Sequence, residues 1–298
     1  MVIANPIYDV VFKKMMENDK VAKFFIGTLL EQTIETVEVK PQEFTYTDEL
    51  AGLAVFRLDF IATIKTESGE SKKILIEIQK AKNQIDLMRF RNYLAEQYKK
   101  EDDVNGEKMI LPITTIYILG FKLPEINSAC LKVERNYKDL VNNSKIDTKS
   151  DFIEKLTHDS YVVQVERITG KYQTKLDKLL SLFEQTNFVD DRKIVKEFTH
   201  EIDNEDIKLT TDILHFSGTN TEERKKIETE QEAWRSVNAM FEDKEKKYIK
   251  ELAEKDKSLS EKDKSLSEKD KSLSEKDKSL SEKDKLIAEL MKKLNEKK

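Results

Sequence analysis

Cysteine, histidine, glycine and proline are all scarce in this chain of 298 residues. The single cysteine, Cys130, excludes an intramolecular disulfide and is typical of a reducing compartment. The chain has 7 glycines and 4 prolines, which argues against an all-β fold with many hairpins and favours a helix-rich protein. The three histidines, His158, His200 and His215, lie far apart and lack the spacing of zinc ligands. A structural zinc site is therefore not expected.

Long hydrophobic runs are also missing. No stretch approaches the roughly 18 apolar residues that indicate a membrane-spanning helix. Near the start of the chain, Asn5 and Pro6 interrupt the short apolar segment that a signal peptide would extend. We therefore expect neither a signal peptide nor a membrane span, and we expect a cytoplasmic location.

The balance of charge narrows the classes of partner. Charged residues make up 37% of the chain and hydrophobic residues 38%, a polar composition that predicts a solvated segment without a core of its own. The formal net charge is −5. Because nucleic-acid-binding proteins usually carry a basic surface, this charge argues against strong nonspecific binding but leaves a local basic site open.

The solvated segment is the C-terminal tail, 249–298. From Glu254 to Ser281 the unit Glu-Lys-Asp-Lys-Ser-Leu-Ser occurs four times without interruption by glycine or proline, which predicts one long helix with a heptad period. Only one apolar residue falls in each repeat, so two interpretations stay open: self-association into a homo-oligomer, or a solvated single helix or partly disordered tail. The residues at strict seven-residue intervals are Leu252, Leu259, Leu266, Leu273, Leu280, Ile287 and Leu294.

The N-terminal half alternates between helical and extended patterns, which predicts an α/β domain. Strands are expected at 55–64, 74–79, 110–121 and 161–165. Helices are expected at 6–18, 20–35, 83–100, 172–185 and 193–248, the last with a break near Ser217-Gly218. The predicted organisation is a domain at 1–190, a helical extension at 191–248 and the heptad-repeat tail at 249–298.

Two neighbouring predicted strands carry the polar residues of a candidate site. In the first, residues 56, 58, 60 and 62 are apolar and share one face, so Asp59 lies on the other. In the second, three isoleucines share one face, and Glu77 and Gln79 share the opposite one. If the hairpin turns about Ser68, Asp59 stands opposite Glu77, with Cβ atoms roughly 4.5–5.5 Å apart.

Two carboxylates that face each other across strands repel, so either one of them takes up a proton or a cation lies between them. A hard divalent cation with oxygen ligands fits such a pair. The alternative is that this face is simply the solvated side of an antiparallel hairpin. In that case Arg57 neutralises Asp59, and Glu77 and Gln79 are ordinary surface residues.

Asp59, a turn, the triplet Glu77-Ile78-Gln79 and a predicted helix with Arg89 and Arg91 follow one another along the chain. This order resembles the PD-(D/E)XK nuclease superfamily. More narrowly, it resembles the PD-(D/E)XK nuclease family transposases, which are related to recombination-promoting nucleases and have Glu-x-Gln where others have Glu-x-Lys.

The opening segment, 5–13, is also similar to the start of that group, where an aspartate (here Asp9) precedes Phe-Lys on the first helix. The similarity covers about residues 5–240 in the order of its elements and leaves out the tail. Two positions depart from the pattern of the superfamily. Leu58 replaces the proline before Asp59, and Gln79 replaces the lysine, which removes a positive charge beside the substrate. Lys82 is the candidate substitute for that charge.

The resemblance implies an α/β, restriction-endonuclease-like core, which is a mixed sheet flanked by helices, followed by a helical C-terminal region and the long heptad-repeat helix. It implies a Mg²⁺-dependent endonuclease that cleaves DNA phosphodiester bonds, double-stranded DNA above all, in transposition or recombination. Asp59, Glu77 and the backbone carbonyl of Ile78 would hold Mg²⁺, Gln79 would orient the attacking water, and Asp9 would complete the site. The cations expected to contact phosphates or to raise the local positive charge are Lys72, Lys73, Lys80, Lys82, Arg89 and Arg91.

Two other classes of function stay open. One is a catalytically weak or inactive nuclease-fold module that binds nucleic acid or assembles through its tail, which Gln79 and the acidic net charge favour. The other is a mainly structural coiled-coil protein, in which deletion of the tail abolishes function and replacement of Asp59 does not.

Overall fold

The computed structural model describes residues 1–48, 53–80, 84–104 and 106–295. Lys82 lies outside these ranges, and of Asp59 and Arg89 the structure describes the backbone. The chain forms two compact units, Met1–Trp234 and Arg235–Lys298. The boundaries at 190 and 248 that the sequence suggests stay predictions. None of the helices in the described ranges combines the length and the apolar composition needed to cross a membrane.

The described chain contains both helices and strands. The helices of the described chain are α1 (Asp9–Met16), α2 (Asp19–Leu30), α3 (Gln84–Tyr98), α4 (Asp151–Leu156), α5 (Lys175–Ser181), α6 (Glu205–Thr219) and α7 (Thr221–Asn295). Its strands are β1 (Val2–Ala4), β2 (Ile34–Asp48), β3 (Leu53–Thr66), β4 (Ser71–Gln79), β5 (Asp102–Val104), β6 (Glu107–Met109), β7 (Ile113–Leu119), β8 (Cys130–Val133), β9 (Tyr137–Asp139), β10 (Ser144–Ile146), β11 (Asp159–Gln164) and β12 (Val195–Glu197).

A mixed sheet of six strands organises the first unit, in the order β2-β3-β4-β7-β11-β8. β4, β7 and β11 run parallel to one another, whereas β2, β3 and β4 form an antiparallel meander and β8 pairs antiparallel with β11. Parallel neighbours need long crossover connections, and the segment between β4 and β7 includes α3. The α/β class expected from the alternating patterns is confirmed.

The predicted helix at 20–35 is wrong in its last turn. α2 begins after Asn18, whose side chain accepts hydrogen bonds from the backbone of Lys20 and Val21, and it ends at Leu30. Glu31 then takes a left-handed conformation (φ 54°), and the chain enters β2 at Ile34. The segment 34–39 is rich in β-branched residues, which suits a strand better than a helix.

The predicted helical region at 193–248 is wrong at its start, where the structure has a strand. Val195–Glu197 forms β12, which pairs antiparallel with β1 at the beginning of the chain, with Val2 opposite Glu197. The helical break expected near Ser217-Gly218 lies slightly later, where α6 ends at Thr219 and Asn220 takes an extended conformation. A three-residue strand has too short a pattern to identify in a helical context.

The two faces of the sheet are covered differently. Phe12 of α1 packs edge-on against Phe60 of β3 and Phe25 of α2, with ring centroids 5.0 and 5.3 Å apart. This large core takes in one face of β4 through its isoleucines. On the other face a smaller cluster packs α3 onto the sheet, and its buried members are Leu75, Phe90, Tyr93 and Ile113. Glu77 alternates with the isoleucines and therefore lies on the face that α3 covers.

The tail is helical, as its heptad pattern predicts. α7 continues without a break from Thr221 to Asn295. Its leucines at seven-residue intervals are exposed from Leu252 to Leu280. Their side chains are therefore not part of a hydrophobic core.

Candidate active site

The β3–β4 hairpin has the register that strand parity predicts. Pairing runs from Lys65 opposite Ser71 to Phe60 opposite Ile76. The turn between them is stabilised by backbone hydrogen bonds from Thr66 N–H to Glu70 O (2.9 Å) and from Gly69 N–H to Thr66 O (2.8 Å). The pairs end one position before Asp59 and Glu77, and continuation of the same register would set these two residues opposite each other.

The pairing between these two strands ends where the candidate site begins. Within the described residues, Phe60 and Ile76 form the last pair between β3 and β4. Beyond it Asp59 pairs with Gln42 of β2, and Glu77 pairs with Tyr117 of β7. The ladder between β3 and β4 therefore ends one position before Asp59 and Glu77, the two acidic residues of the candidate site.

The backbone of β4 presents a carbonyl oxygen near the end of this ladder. The carbonyl of Gln79 accepts a hydrogen bond from Gly120 N–H at 2.8 Å, on the β7 side of the strand. Successive carbonyls of a strand point to alternate sides, so that of Ile78 is directed toward β3. The carbonyl of Ile78 and the backbone position of Asp59 therefore lie on the same side of β4.

Glu77 is deeply buried. It is 1% exposed and lies on the face that α3 covers, next to Leu75 of the small cluster. Burial raises the pKa of Tyr117, its neighbour on β7, to about 12, and the negative charge of Glu77 adds to that shift. Placing a carboxylate in such surroundings is costly unless charge or hydrogen bonds compensate it. A carboxyl group buried within a sheet is a candidate for chemistry.

The residues that the sequence suggests as metal ligands have the donor chemistry that a divalent ion takes. The carboxyl groups of Glu77 and Asp59 and the carbonyl of Ile78 are hard oxygen donors of the kind that Mg²⁺ takes. Among the side chains that the structure describes, no group of three or more His, Cys, Asp or Glu residues is arranged to hold a metal. The ligand set proposed from the sequence has two carboxyl groups and one backbone oxygen. The side chain of Asp59, which supplies one of the carboxyl groups, is not among those that the structure describes.

Gln79, the last residue of β4, and Lys80, which follows the strand, have different surroundings. Gln79 is half-buried at the last position of the strand. Lys80 forms an ion pair with Glu230 of α7, and its ammonium lies 4.8 Å from the ring centre of Tyr8 and 5.0 Å from that of Trp234. The side chain of Lys80 is thus enclosed by protein groups, and its predicted contact with nucleic acid stays a prediction.

Asp9 is connected to the end of β4 through Glu230. Its backbone N–H, at the first position of α1, donates to Glu230 Oε1 at 2.9 Å, and Val10 N–H donates to Oε2 at 3.1 Å. The same carboxylate pairs with Lys80. The structure therefore relates Asp9 to the strand that carries Glu77 and Gln79, through a residue on a distant helix.

The positive charge expected around the site is partly neutralised. Lys73 is buried and pairs with Asp102 at 2.6 Å, and Lys72 pairs with Glu70 at 2.9 Å. With Lys80 engaged by Glu230, three of the six predicted cations have acidic partners within the protein. Arg91 is exposed on α3. Among the predicted cations whose side chains the structure describes, it is the one that is open to solvent.

The two tyrosines of α3 have separate roles. Tyr93 is buried and packs in the small cluster. Tyr98, at the end of the helix, is hydrogen-bonded through its hydroxyl to Nδ1 of His158 at 2.8 Å. It lines a surface cavity of about 440 Å³ together with Arg135, Leu156, Thr157 and His158.

Two residues near the site have no signal in the sequence. Glu230 is 150 positions from Lys80, and nothing in its own helical segment marks it. Tyr117 is one of several apolar or aromatic residues in a continuous strand pattern, and its place beside Glu77 follows only from the parallel pairing of β4 with β7. Comparison of the chain with protein-family models, with curated proteins and with solved structures found no match.

Proposed function

We propose that this protein is a Mg²⁺-dependent endonuclease that hydrolyses DNA phosphodiester bonds on a restriction-endonuclease-like form of the α/β fold. The observation that supports the proposal is the burial of Glu77 one position beyond the last pair of β3 and β4, Phe60 with Ile76, in a register that on continuation would bring Asp59 opposite it. The resemblance to PD-(D/E)XK nuclease family transposases supplies the reaction class. Double-stranded DNA in the cytoplasm is the proposed substrate, in transposition or recombination.

We assign each site residue a role from its position. Asp59, Glu77 and the backbone carbonyl of Ile78 would hold Mg²⁺, which supplies Lewis-acid stabilisation of negative charge on the phosphoryl oxygens. Gln79, next on the same strand face as Glu77, would orient the attacking water through its amide. The new bond joins the water oxygen to phosphorus, the ester P–O bond breaks, and the proton passes to the leaving oxygen.

Positioning of the DNA would depend on cations near this face. Arg89 and Arg91 belong to α3, which covers the face of Glu77. Phosphate contacts of this kind position a duplex without selecting its sequence. Lys82 would add the positive charge that the glutamine at position 79 lacks.

A cleavage assay tests the proposal. Plasmid DNA is incubated with the full chain, with Mg²⁺ or with a chelator, and nicked and linear products are measured. We expect Mg²⁺-dependent cleavage that falls by at least about 100-fold in Asp59→Asn and in Glu77→Gln, because loss of a charge-stabilising group costs that much. Glu67→Gln, in the exposed turn of the same hairpin, is the matched control and should keep the activity. Cleavage that persists in Glu77→Gln contradicts the assignment.

A second candidate is a nuclease-fold module without turnover that binds nucleic acid or assembles through its tail. Gln79 in place of lysine and the net charge of −5 favour it. Calorimetric titration separates the two functions. A module of this kind binds Mg²⁺ in a manner that Glu77→Gln abolishes, yet it yields no cleaved DNA under any condition in which the metal is bound.

A further inference from the structure

A surface cavity beside the end of α3 has no part in the proposed cleavage step. It has a volume of about 440 Å³ and is lined by Tyr98, Arg135, Leu156, Thr157 and His158. Sites for small ligands occupy about 300–1,000 Å³ and combine aromatic or apolar walls with a few polar groups. This cavity has both kinds of lining and the size of a ligand site.

Two aromatic rings and a leucine form the flat and apolar part of the wall. The rings of Tyr98 and His158 have centroids 6.1 Å apart and are tilted by 49° to each other. Tyr98 is 36% exposed and Leu156 is 58% exposed. Exposed aromatic faces of this kind stack on the rings of nucleobases. The walls therefore favour a planar aromatic ligand.

Two polar groups of the cavity can donate hydrogen bonds to a ligand. Burial raises the pKa of Tyr98, so its hydroxyl keeps the proton and donates it to Nδ1 of His158 at 2.8 Å. Burial and the charge of Arg135 lower the pKa of His158, so the neutral ring carries its proton on Nε2. The hydroxyl of Thr157 accepts from Arg135 Nη1 at 2.7 Å, which leaves its own proton to donate. A ligand that matches these groups has acceptors.

The charge of Arg135 is balanced within the wall itself. Its Nε donates to Asp159 at 2.8 Å, and its Nη2 donates to Glu154. Glu154 also lies 3.9 Å from the ammonium of Lys149. Two carboxylates thus offset two cations, and the guanidinium is held in place by partners of the protein. The cavity therefore suits an uncharged acceptor group better than a phosphate.

The cavity and the candidate active site lie on the same side of the sheet. The parallel pairing of β4, β7 and β11 sets Glu77, Tyr117 and Val162 at one level. His158 is four positions before Val162, and its bond to Tyr98 of α3 sets it on the side that α3 covers. Four residues along a strand and two strands across correspond to roughly 16 Å from Glu77. A DNA strand spans this distance in a few nucleotides.

Given the proposed nuclease function, on which this step rests, we infer that the cavity binds one unpaired purine base of the DNA, guanine above the other bases. Guanine has two acceptors, N7 and O6, on one edge, which match the donors of His158 and Thr157, while its ring stacks on Tyr98. On the same edge adenine has one acceptor and an amino donor, cytosine has an amino donor, and thymine has a single acceptor. An amino group would face the donors of the cavity, which weakens binding.

A base in this cavity is outside the stack of a duplex. Taking a base out of the stack costs least where the base is already unpaired. The cavity therefore favours DNA with an unpaired guanine a few nucleotides from the cleaved bond.

Calorimetric titration of the full chain with mononucleotides tests the choice of ligand. The solutions contain a chelator, and the titrants are 2′-deoxyguanosine 5′-monophosphate, 2′-deoxycytidine 5′-monophosphate and inorganic phosphate. We expect saturable binding of the guanine nucleotide, binding of the cytosine nucleotide weaker by about 10-fold or more, and no saturation by phosphate. Absence of binding by the guanine nucleotide, equal binding of the two nucleotides, or phosphate binding that matches the guanine nucleotide overturns the inference.

Variants locate the bound nucleotide. Tyr98→Leu removes the stacking ring and should weaken binding of the guanine nucleotide by about 10-fold. His158→Leu removes a donor and should weaken it by about 5-fold, so the test does not depend on a single variant. Phe152→Leu changes an exposed aromatic residue of α4 that does not line the cavity, and as the matched control it should bind like the wild type. Full affinity in both Tyr98→Leu and His158→Leu overturns the assignment to this cavity.

Fluorescence anisotropy with labelled duplexes tests the unpaired base in DNA. One duplex has a single extrahelical guanine, and the matched duplex has an abasic residue at the same position. In the presence of a chelator the guanine duplex should bind about 10-fold more tightly to the wild type, and Tyr98→Leu should lose this difference. Equal binding of the two duplexes by the wild type overturns the inference for DNA.

Nucleotide binding and plasmid cleavage are measured separately, so the two proposals fail separately. Binding of the guanine nucleotide without cleavage of plasmid DNA supports the base site and rules out the nuclease. Cleavage without binding of the guanine nucleotide supports the nuclease and rules out the base site.

Discussion

Glu230 of α7 and Lys80 at the end of β4 form an ion pair that also holds the first turn of α1. The carboxylate accepts hydrogen bonds from the backbone N–H groups of Asp9 and Val10, and Lys80 lies between the rings of Tyr8 and Trp234. Negative charge at a helix N-terminus is favourable, and so is a carboxylate beside an ammonium in a partly buried site. One acidic side chain therefore stabilises three elements that meet beside the candidate site.

Removal of Glu230 should be costly for this reason. We expect Glu230→Ala to lower the free energy of unfolding by about 3 kcal/mol, because it leaves the Lys80 charge and two backbone donors without their partner. The measurement is chemical denaturation. Glu228→Ala is the matched control on the same helix, since Glu228 pairs with Arg224 at the surface, and its loss should cost about 0.5 kcal/mol or less. Equal costs for the two variants would contradict the role given to Glu230.

A double-mutant cycle measures the coupling within the pair. Lys80→Met combined with Glu230→Gln should be less destabilising than the sum of the single changes by about 1–3 kcal/mol, since residues in one charge network are not additive. Additive effects would show that Glu230 acts only through its hydrogen bonds to α1.

Restoring the positive charge at position 79 should raise turnover. We expect Gln79→Lys to increase the cleavage rate by roughly 10-fold to 100-fold, because a cation at the end of β4 stabilises the charge that develops on the phosphoryl group. Gln79→Met has a similar length without the charge and serves as the control, with no gain expected. The rate is measured under single-turnover conditions, so that product release does not limit it. A lysine variant no faster than wild type would show that the missing charge does not limit the reaction.

Mg²⁺ should stabilise the folded protein through Glu77. A ligand that binds only the native state adds stability by mass action, about 2.7 kcal/mol at 100 times its dissociation constant. We expect the unfolding midpoint of the wild type to rise with Mg²⁺, and that of Glu77→Gln to stay constant. K⁺ at matched ionic strength controls for screening. The same rise in both proteins would place the bound ion elsewhere.

Lys196 should make stability depend on pH in the alkaline range. Its side chain is 3% exposed, and its Nζ donates to the carbonyls of Ser181 and Glu184 at 3.1 and 2.6 Å. Burial lowers its pKa to about 7, against a smaller opposing effect of Glu184. Between this pKa and that of an unfolded lysine, about 10.4, the unfolded chain binds more protons than the folded chain, so stability rises with pH.

Between pH 7 and 9 the contribution of Lys196 should amount to about 2 kcal/mol. The free energy of unfolding is measured by denaturant titration across this range for the wild type and for Lys196→Met. The rise should be smaller in Lys196→Met, and it should be kept in Lys208→Met, which changes an exposed lysine of α6. Parallel pH profiles for wild type and Lys196→Met would contradict the lowered pKa.

The sequence by itself determined the features that depend on local periodicity. Alternation along 74–79 set the face of Glu77 and Gln79, and the turn after β3 set the hairpin register, because both are properties of neighbouring residues. The seven-residue repeat determined the long tail helix for the same reason. In the hairpin and in the tail, the secondary structure that the local sequence favours is the one that the fold contains.

Only the tertiary structure decided which distant segments meet. The pairing of β1 with β12 joins the start of the chain to residues near 196, and Lys80 meets Glu230 across 150 positions. The parallel pairing of β4 with β7 sets Tyr117 beside Glu77. Such contacts depend on how whole elements pack, and a single residue carries no signal of its distant neighbour. The parity of Asp59 and Glu77 was therefore predictable, whereas the burial of Glu77 beneath α3 was decided by packing.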